Sequence, residues 1–122
     1  MKPAKAILLD AKNNTVSFVS ITNYKDISKF GRYDLFTTVQ INDKGETLFV
    51  DDEGLLNGTD FGFEIEGYPE PIMGNAVILG TNFNTGDSVD TDLTLDDVAK
   101  MVRTFQSDGF RLVRNRRRAN VA

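Results

Sequence analysis

The chain has 122 residues, 40% of them apolar, with nine Phe but no Cys and no His. Disulfides, thiolate–zinc sites, cysteine nucleophiles and imidazole acid–base catalysis are therefore excluded. The net charge of −4 is the sum of +3 over residues 1–42, −13 over residues 43–97 with Lys44 the one base there, and +6 over residues 98–122.

In chain order, Lys5-Ala6-Ile7-Leu8-Leu9 reads as a short apolar strand and the polar run 11–14 as a turn. Thr15 to Ile21 alternates apolar and polar residues, which predicts a hairpin with the first strand. Asn23 is a helix N-cap type, and Ile27 and Phe30 lie three apart, so a short helix is expected over about residues 24–30, closed by a left-handed Gly31. Tyr33 to Ile41 is rich in aromatic and β-branched residues and reads as strand. The run 42–45 is a turn, and Glu46 to Val50 returns as strand.

Phe61, Phe63 and Ile65 alternate with Gly62, Glu64 and Glu66, a strand with one wet face. Ala76-Val77-Ile78-Leu79 is apolar throughout, the pattern of a strand buried on both faces. Residues 80–92 read as loop. Thr94 starts a second helix, with Asp97 at the capping-box position and Leu95, Val98, Met101, Val102 and Phe105 as its apolar stripe. Phe110 to Arg116 reads as a last strand and residues 117–122 as a frayed tail. The expected fold is a single α+β domain, mostly antiparallel sheet with two helices packed on one side. No apolar run approaches the ~18 residues of a membrane span, and the start lacks a signal-peptide pattern. The protein is accordingly expected in the cytoplasm, without a membrane partner.

Phe49-Val50-Asp51-Asp52-Glu53-Gly54-Leu55-Leu56-Asn57-Gly58 resembles a motif of small proteins encoded by phages and mobile elements. Pro71-Ile72-Met73-Gly74-Asn75-Ala76-Val77-Ile78-Leu79-Gly80 resembles a second motif of the same proteins, in the same order and spacing. The resemblance covers about residues 5–106 and implies a domain family of unassigned function. A phage-type origin implies counter-defence in the host cytoplasm. By analogy it points to the Thoeris anti-defence sponges, which bind cyclic ADP-ribose isomers.

Three sets of residues are candidate sites. In the loop 80–86, Phe83 can stack on a nucleobase while Asn82 and Asn84 bond base edges or ribose; alternatively, Phe83 folds onto the core and both Asn serve turns. Arg111, Arg114 and Arg116, with Arg117 and Arg118, offer guanidinium forks for phosphate; alternatively they form a solvated tail or clasp the acidic segment of this or another copy. Asp87, Asp90 and Asp92, or Asp51, Asp52 and Glu53, offer oxygen ligands. Neither run fits an EF-hand loop, and turn and cap roles account for most of them, so no metal and no cofactor is assigned. The whole acidic face can also be read as a mimic of DNA phosphates.

The expected function is that of a non-enzymatic protein sequestering a small phosphorylated nucleotide. Asn82, Phe83, Asn84, Arg111, Arg114 and Arg116 would form its site, with no catalytic residue. A sponge needs affinity but no acid–base group, which suits a chain without His. Ends of opposite charge favour a homo-oligomer, and the −13 segment argues against nucleic acid as partner. The alternative is a protein–protein inhibitor whose acidic face engages a basic host enzyme.

Overall fold

The computed structural model describes residues 3–42, 45–54, 58–108 and 111–122. The turn residues Asp43 and Lys44, the motif residues Leu55, Leu56 and Asn57, and Gly109 and Phe110 of the last expected strand lie outside them. Among the described residues the fold is strand-rich, with eleven strands and two helices. In order these are β1 (Ala4–Asp10), β2 (Thr15–Ile21), α1 (Tyr24–Gly31), β3 (Phe36–Gln40), β4 (Thr47–Asp51), β5 (Phe61–Ile65), β6 (Ile72–Met73), β7 (Ala76–Thr81), β8 (Ser88–Val89), α2 (Leu95–Met101), β9 (Val102–Ser107), β10 (Leu112–Arg114) and β11 (Asn120–Val121).

The main sheet runs β11-β2-β1-β7-β4-β3, with β8 paired to the end of β7, and a second sheet runs β10-β9-β5-β6. All pairings are antiparallel except β11 with β2. The hairpin expected at the start is β1–β2, in register from Ala4 opposite Ile21 to Asp10 opposite Thr15.

The main sheet is buried on both faces because its central strands alternate apolar side chains outward in both directions. Ala6, Val77, Leu79 and Phe49 face α1, where they pack with Ile27 and Tyr33. Ile7, Leu9, Leu48, Val50 and Ile78 face the second sheet and α2, where they meet Phe63, Ile65, Leu95, Val98 and Val102. The two helices thus lie on opposite faces of the main sheet, not on one side as expected. An apolar β7 needs cover from both directions, and one helix layer supplies only one.

Both helix starts are as the sequence predicts. Asn23 accepts from the Lys25 and Asp26 amides while Asp26 caps back onto Asn23. Thr94 and Asp97 form the same reciprocal box on α2. The ends differ. α1 includes Gly31, and the left-handed residue is Arg32, at φ 61°. Gly31 is small for another reason: a Cβ there would sit 2.3 Å from the ring of Tyr33. α2 stops at Met101, and Val102 to Ser107 is one of the two inner strands of the second sheet, paired with β5 from Ile65–Val102 to Phe61–Gln106. Val102 and Phe105 fit a helical stripe by spacing, but strand pairing with β5 overrides it.

Residues 117–122, expected to fray, are tied down. The amides of Asn120 and Ala122 donate to the carbonyls of Asn14 (2.8 Å) and Val16 (2.9 Å), Ala119 is buried, and β11 extends the main sheet. Asn14 is the anchor: its Nδ2 donates to the Arg117 and Arg118 carbonyls (3.3 and 3.4 Å) and its Oδ1 accepts from the Thr104 hydroxyl (2.7 Å). Part of the expected 80–92 loop is also strand, the end of β7 and β8.

Candidate functional site

The loop after β7 is a tight turn built by Asn82. Its carbonyl accepts from Thr85 (3.3 Å) and Gly86 (2.7 Å), its amide donates to the Asp87 carbonyl (2.8 Å), and its Oδ1 accepts from the Asn84 amide (2.9 Å). Asn82 therefore serves the turn. Asn84 is exposed. Phe83 is 64% exposed and has not folded into the core; its ring lies over Gly45.

The arginines are engaged elsewhere. Arg114 makes a two-pronged pair with Glu64 of β5, Nε to Oε1 and Nη2 to Oε2. That hydrogen bond holds the Glu64 carboxyl below the ordinary carboxylate range, and Glu64 in turn raises Arg114. Arg111 pairs with Asp108 at 3.3 Å. Arg116, Arg117 and Arg118 are exposed.

Sheet register shows how far apart the two sets are. Because Ile7 lies opposite Ile78, the end of β7 adjoins the start of β1. Asn14, beyond the far end of β1, holds the Arg117 and Arg118 carbonyls and the Thr104 hydroxyl, and the Thr104 carbonyl accepts from the Asn115 amide, so the segment from Arg114 to Arg118 lies at that end. Seven residues of strand separate these ends, roughly 20 Å at ~3.3 Å per residue. The structure thus does not bring Asn82, Phe83 and Asn84 together with Arg111, Arg114 and Arg116 within one copy.

What the structure does bring together at the loop end is an open cleft of about 870 Å³, lined by Pro3, Ala4, Tyr24, Asp87, Ser88, Val89, Asp90 and Asp92. Tyr24 opens α1 and is 52% exposed; its ring lies 6.3 Å from that of Phe36. β8 reaches the cleft because Gly80 opposite Val89 has no side chain: a Cβ there would meet the Asp90 carbonyl oxygen at 2.5 Å. Asp90 spends one oxygen on the Lys5 amide (2.7 Å).

Beneath this wall lies a residue that sequence reasoning passed over. Glu46 is 3% exposed. Its Oε1 accepts from the Thr91 hydroxyl and from the Asp92 amide (3.0 Å), so a buried carboxylate fastens the aspartate loop to the start of β4. Its one sequence signal is position, an acid at the mouth of a strand.

Chemically the cleft is an anionic, aromatic-edged trough, with no Lys or Arg among its described lining residues. Among the described residues no group of three acids could hold a metal ion, and no helix is long and apolar enough to cross a membrane. Such a trough repels phosphate and attracts ammonium or guanidinium groups, which also gain from an aromatic face.

No curated protein and no solved structure matches the chain. The profile of one family, described as a domain of unknown function, matches residues 1–106. Both sequence motifs and the whole cleft fall inside that span, and Arg111 to Arg118 fall outside it. The chain belongs to this family, DUF3846.

Proposed function

We propose that the protein is a non-catalytic binding module that holds a positively charged segment of another protein at its acidic end. The observation that carries this reading is the open cleft with Asp87, Asp90 and Asp92 on its wall and the exposed ring of Tyr24 at its edge. Lys or Arg side chains entering it would trade solvent for carboxylates and an aromatic face. The −13 of residues 43–97 would steer such a partner from a distance. Inhibition of a basic host enzyme, in counter-defence by a phage or mobile element, is one setting for this activity.

A second reading, sequestration of a small cyclic nucleotide, is favoured by one observation, the exposed Phe83. It would require arginines from a neighbouring copy to reach that ring. Thermal-shift measurements separate the two. An oligo-arginine peptide should raise the melting temperature by mass action at low salt and fail to do so at high salt, while cyclic and linear nucleotides leave it unchanged. Stabilisation by a nucleotide, with none by the peptide, would reverse the ranking.

A further inference from the structure

Among the described residues, strand β3 is the outer strand of the main sheet, paired on one side to β4. The Asp52 amide donates to Leu35 (3.1 Å) and the Ile41 amide to Glu46 (3.1 Å), which fixes the phase of that ladder. Residues 35, 37, 39 and 41 turn their backbone groups towards β4, so Phe36, Thr38 and Gln40 turn theirs outward. Folded proteins usually blunt such an edge with Lys, Pro, a bulge or a covering loop. The segment Phe36-Thr37-Thr38-Val39-Gln40-Ile41 has no charge, no Pro and no Gly. Beside it Leu35 is 56% exposed.

We propose that β3 is a self-association edge, at which two copies of this chain pair antiparallel about a two-fold axis through Thr38 and join their main sheets. The partner is a second copy because the edge is complementary to itself. In this register Thr38 lies opposite Thr38, and Phe36 opposite Gln40 of the other copy. All three outward N–H and all three outward C=O groups of each copy then find partners. The intervening close positions set Leu35 against Ile41 and Thr37 against Val39, twice over by symmetry, so the exposed Leu35 gains apolar cover. Thr–Thr and apolar cross-strand pairs each add to pairing. An unrelated strand would satisfy the backbone groups without this side-chain match at both ends. The contact is independent of the acidic cleft and of the proposed function.

The absence of cysteine allows a direct test of register. In the Thr38→Cys variant the two introduced residues would face each other with Cα atoms about 5.5 Å apart, within disulfide reach. In the Gln40→Cys variant they would lie about 13 Å apart, beyond it. Mild oxidation should therefore crosslink the first and leave the second single. Sedimentation equilibrium of the cysteine-free chain should show a dimer that persists at high salt, unlike association through opposite-charge ends. Thr38→Lys, which puts two ammonium groups face to face on a solvent-exposed position, should weaken the dimer by about tenfold or more, while parent and variant melt at the same temperature when diluted to where both are monomers. A monomer at all accessible concentrations, equal crosslinking of both cysteine variants, a dimer untouched by Thr38→Lys, or pairing of this edge only with a strand of another protein would each overturn the proposal.

Discussion

Gly31 is glycine because the Tyr33 ring covers its α-carbon, while Arg32 bears the left-handed conformation that glycine usually takes. Gly31→Ala should destabilise the fold by about 1–3 kcal/mol through overpacking. Arg32→Gly should stabilise it by roughly 1 kcal/mol by relieving left-handed strain. Chemical denaturation of both variants checks the opposite signs.

Tyr33 is buried and donates its hydroxyl to the Phe49 carbonyl at 2.6 Å. Burial, and then the negative charge of Asp51, push its phenol well above its ordinary value. The neutral form is thus favoured in the fold, and its contribution is complete below about pH 10, the unfolded value. The contribution is lost as pH rises beyond that. Tyr33→Phe should cost about 1 kcal/mol at neutral pH and flatten the alkaline fall in stability, read from denaturation midpoints across pH. Glu46→Ala should cost more, about 1–3 kcal/mol, because it leaves the Thr91 hydroxyl and the Asp92 amide without their acceptor. It should also raise hydrogen exchange through residues 87–92. Unchanged exchange there would show that Glu46 does not fasten the loop.

At the level of elements, the sequence was most legible where one local signal dominated. The N-cap at Asn23, the capping box at Thr94 and the alternation in β2 and β5 name their elements outright. β9 was illegible because Val98, Val102 and Phe105 satisfy helical spacing as well as strand burial, and only β5 decides between them. Phe105 is fully buried in that sheet, so Phe105→Ala should cost about 3–5 kcal/mol, against near-neutrality for the exposed Gln106→Ala, both measured by urea unfolding. The order of the tail is hidden from the sequence for a related reason. Its order comes from Asn14, about a hundred residues away in sequence, whose amide and carbonyl serve Arg117, Arg118 and Asn120. β6 and β8, two residues each, carry no periodicity at all.

At the scale of the whole molecule, the sequence revealed the charge layout but not its geometry. Composition shows an acidic segment with basic flanks. It does not show that Arg114 is already matched to Glu64, or that the loop of Phe83 and the arginine tail occupy opposite ends of the main sheet. Nor does it show that Asp87, Asp90 and Asp92 share a cleft with Tyr24 from α1, since that depends on β8 folding back across Gly80. With Arg111 and Arg114 paired to acids, and no Lys or Arg among the described residues that line the aspartate cleft, the expectation turns from an anion site towards a cation site. The most direct test is isothermal titration of an arginine-rich peptide into the parent chain and into an Asp87→Asn/Asp92→Asn variant at low salt. Asp90 is kept because it also holds the Lys5 amide. Measurable binding by the parent that falls at least about tenfold in the variant, close to 1.4 kcal/mol, is the predicted result. Equal binding by both proteins, or none by the parent, would contradict it.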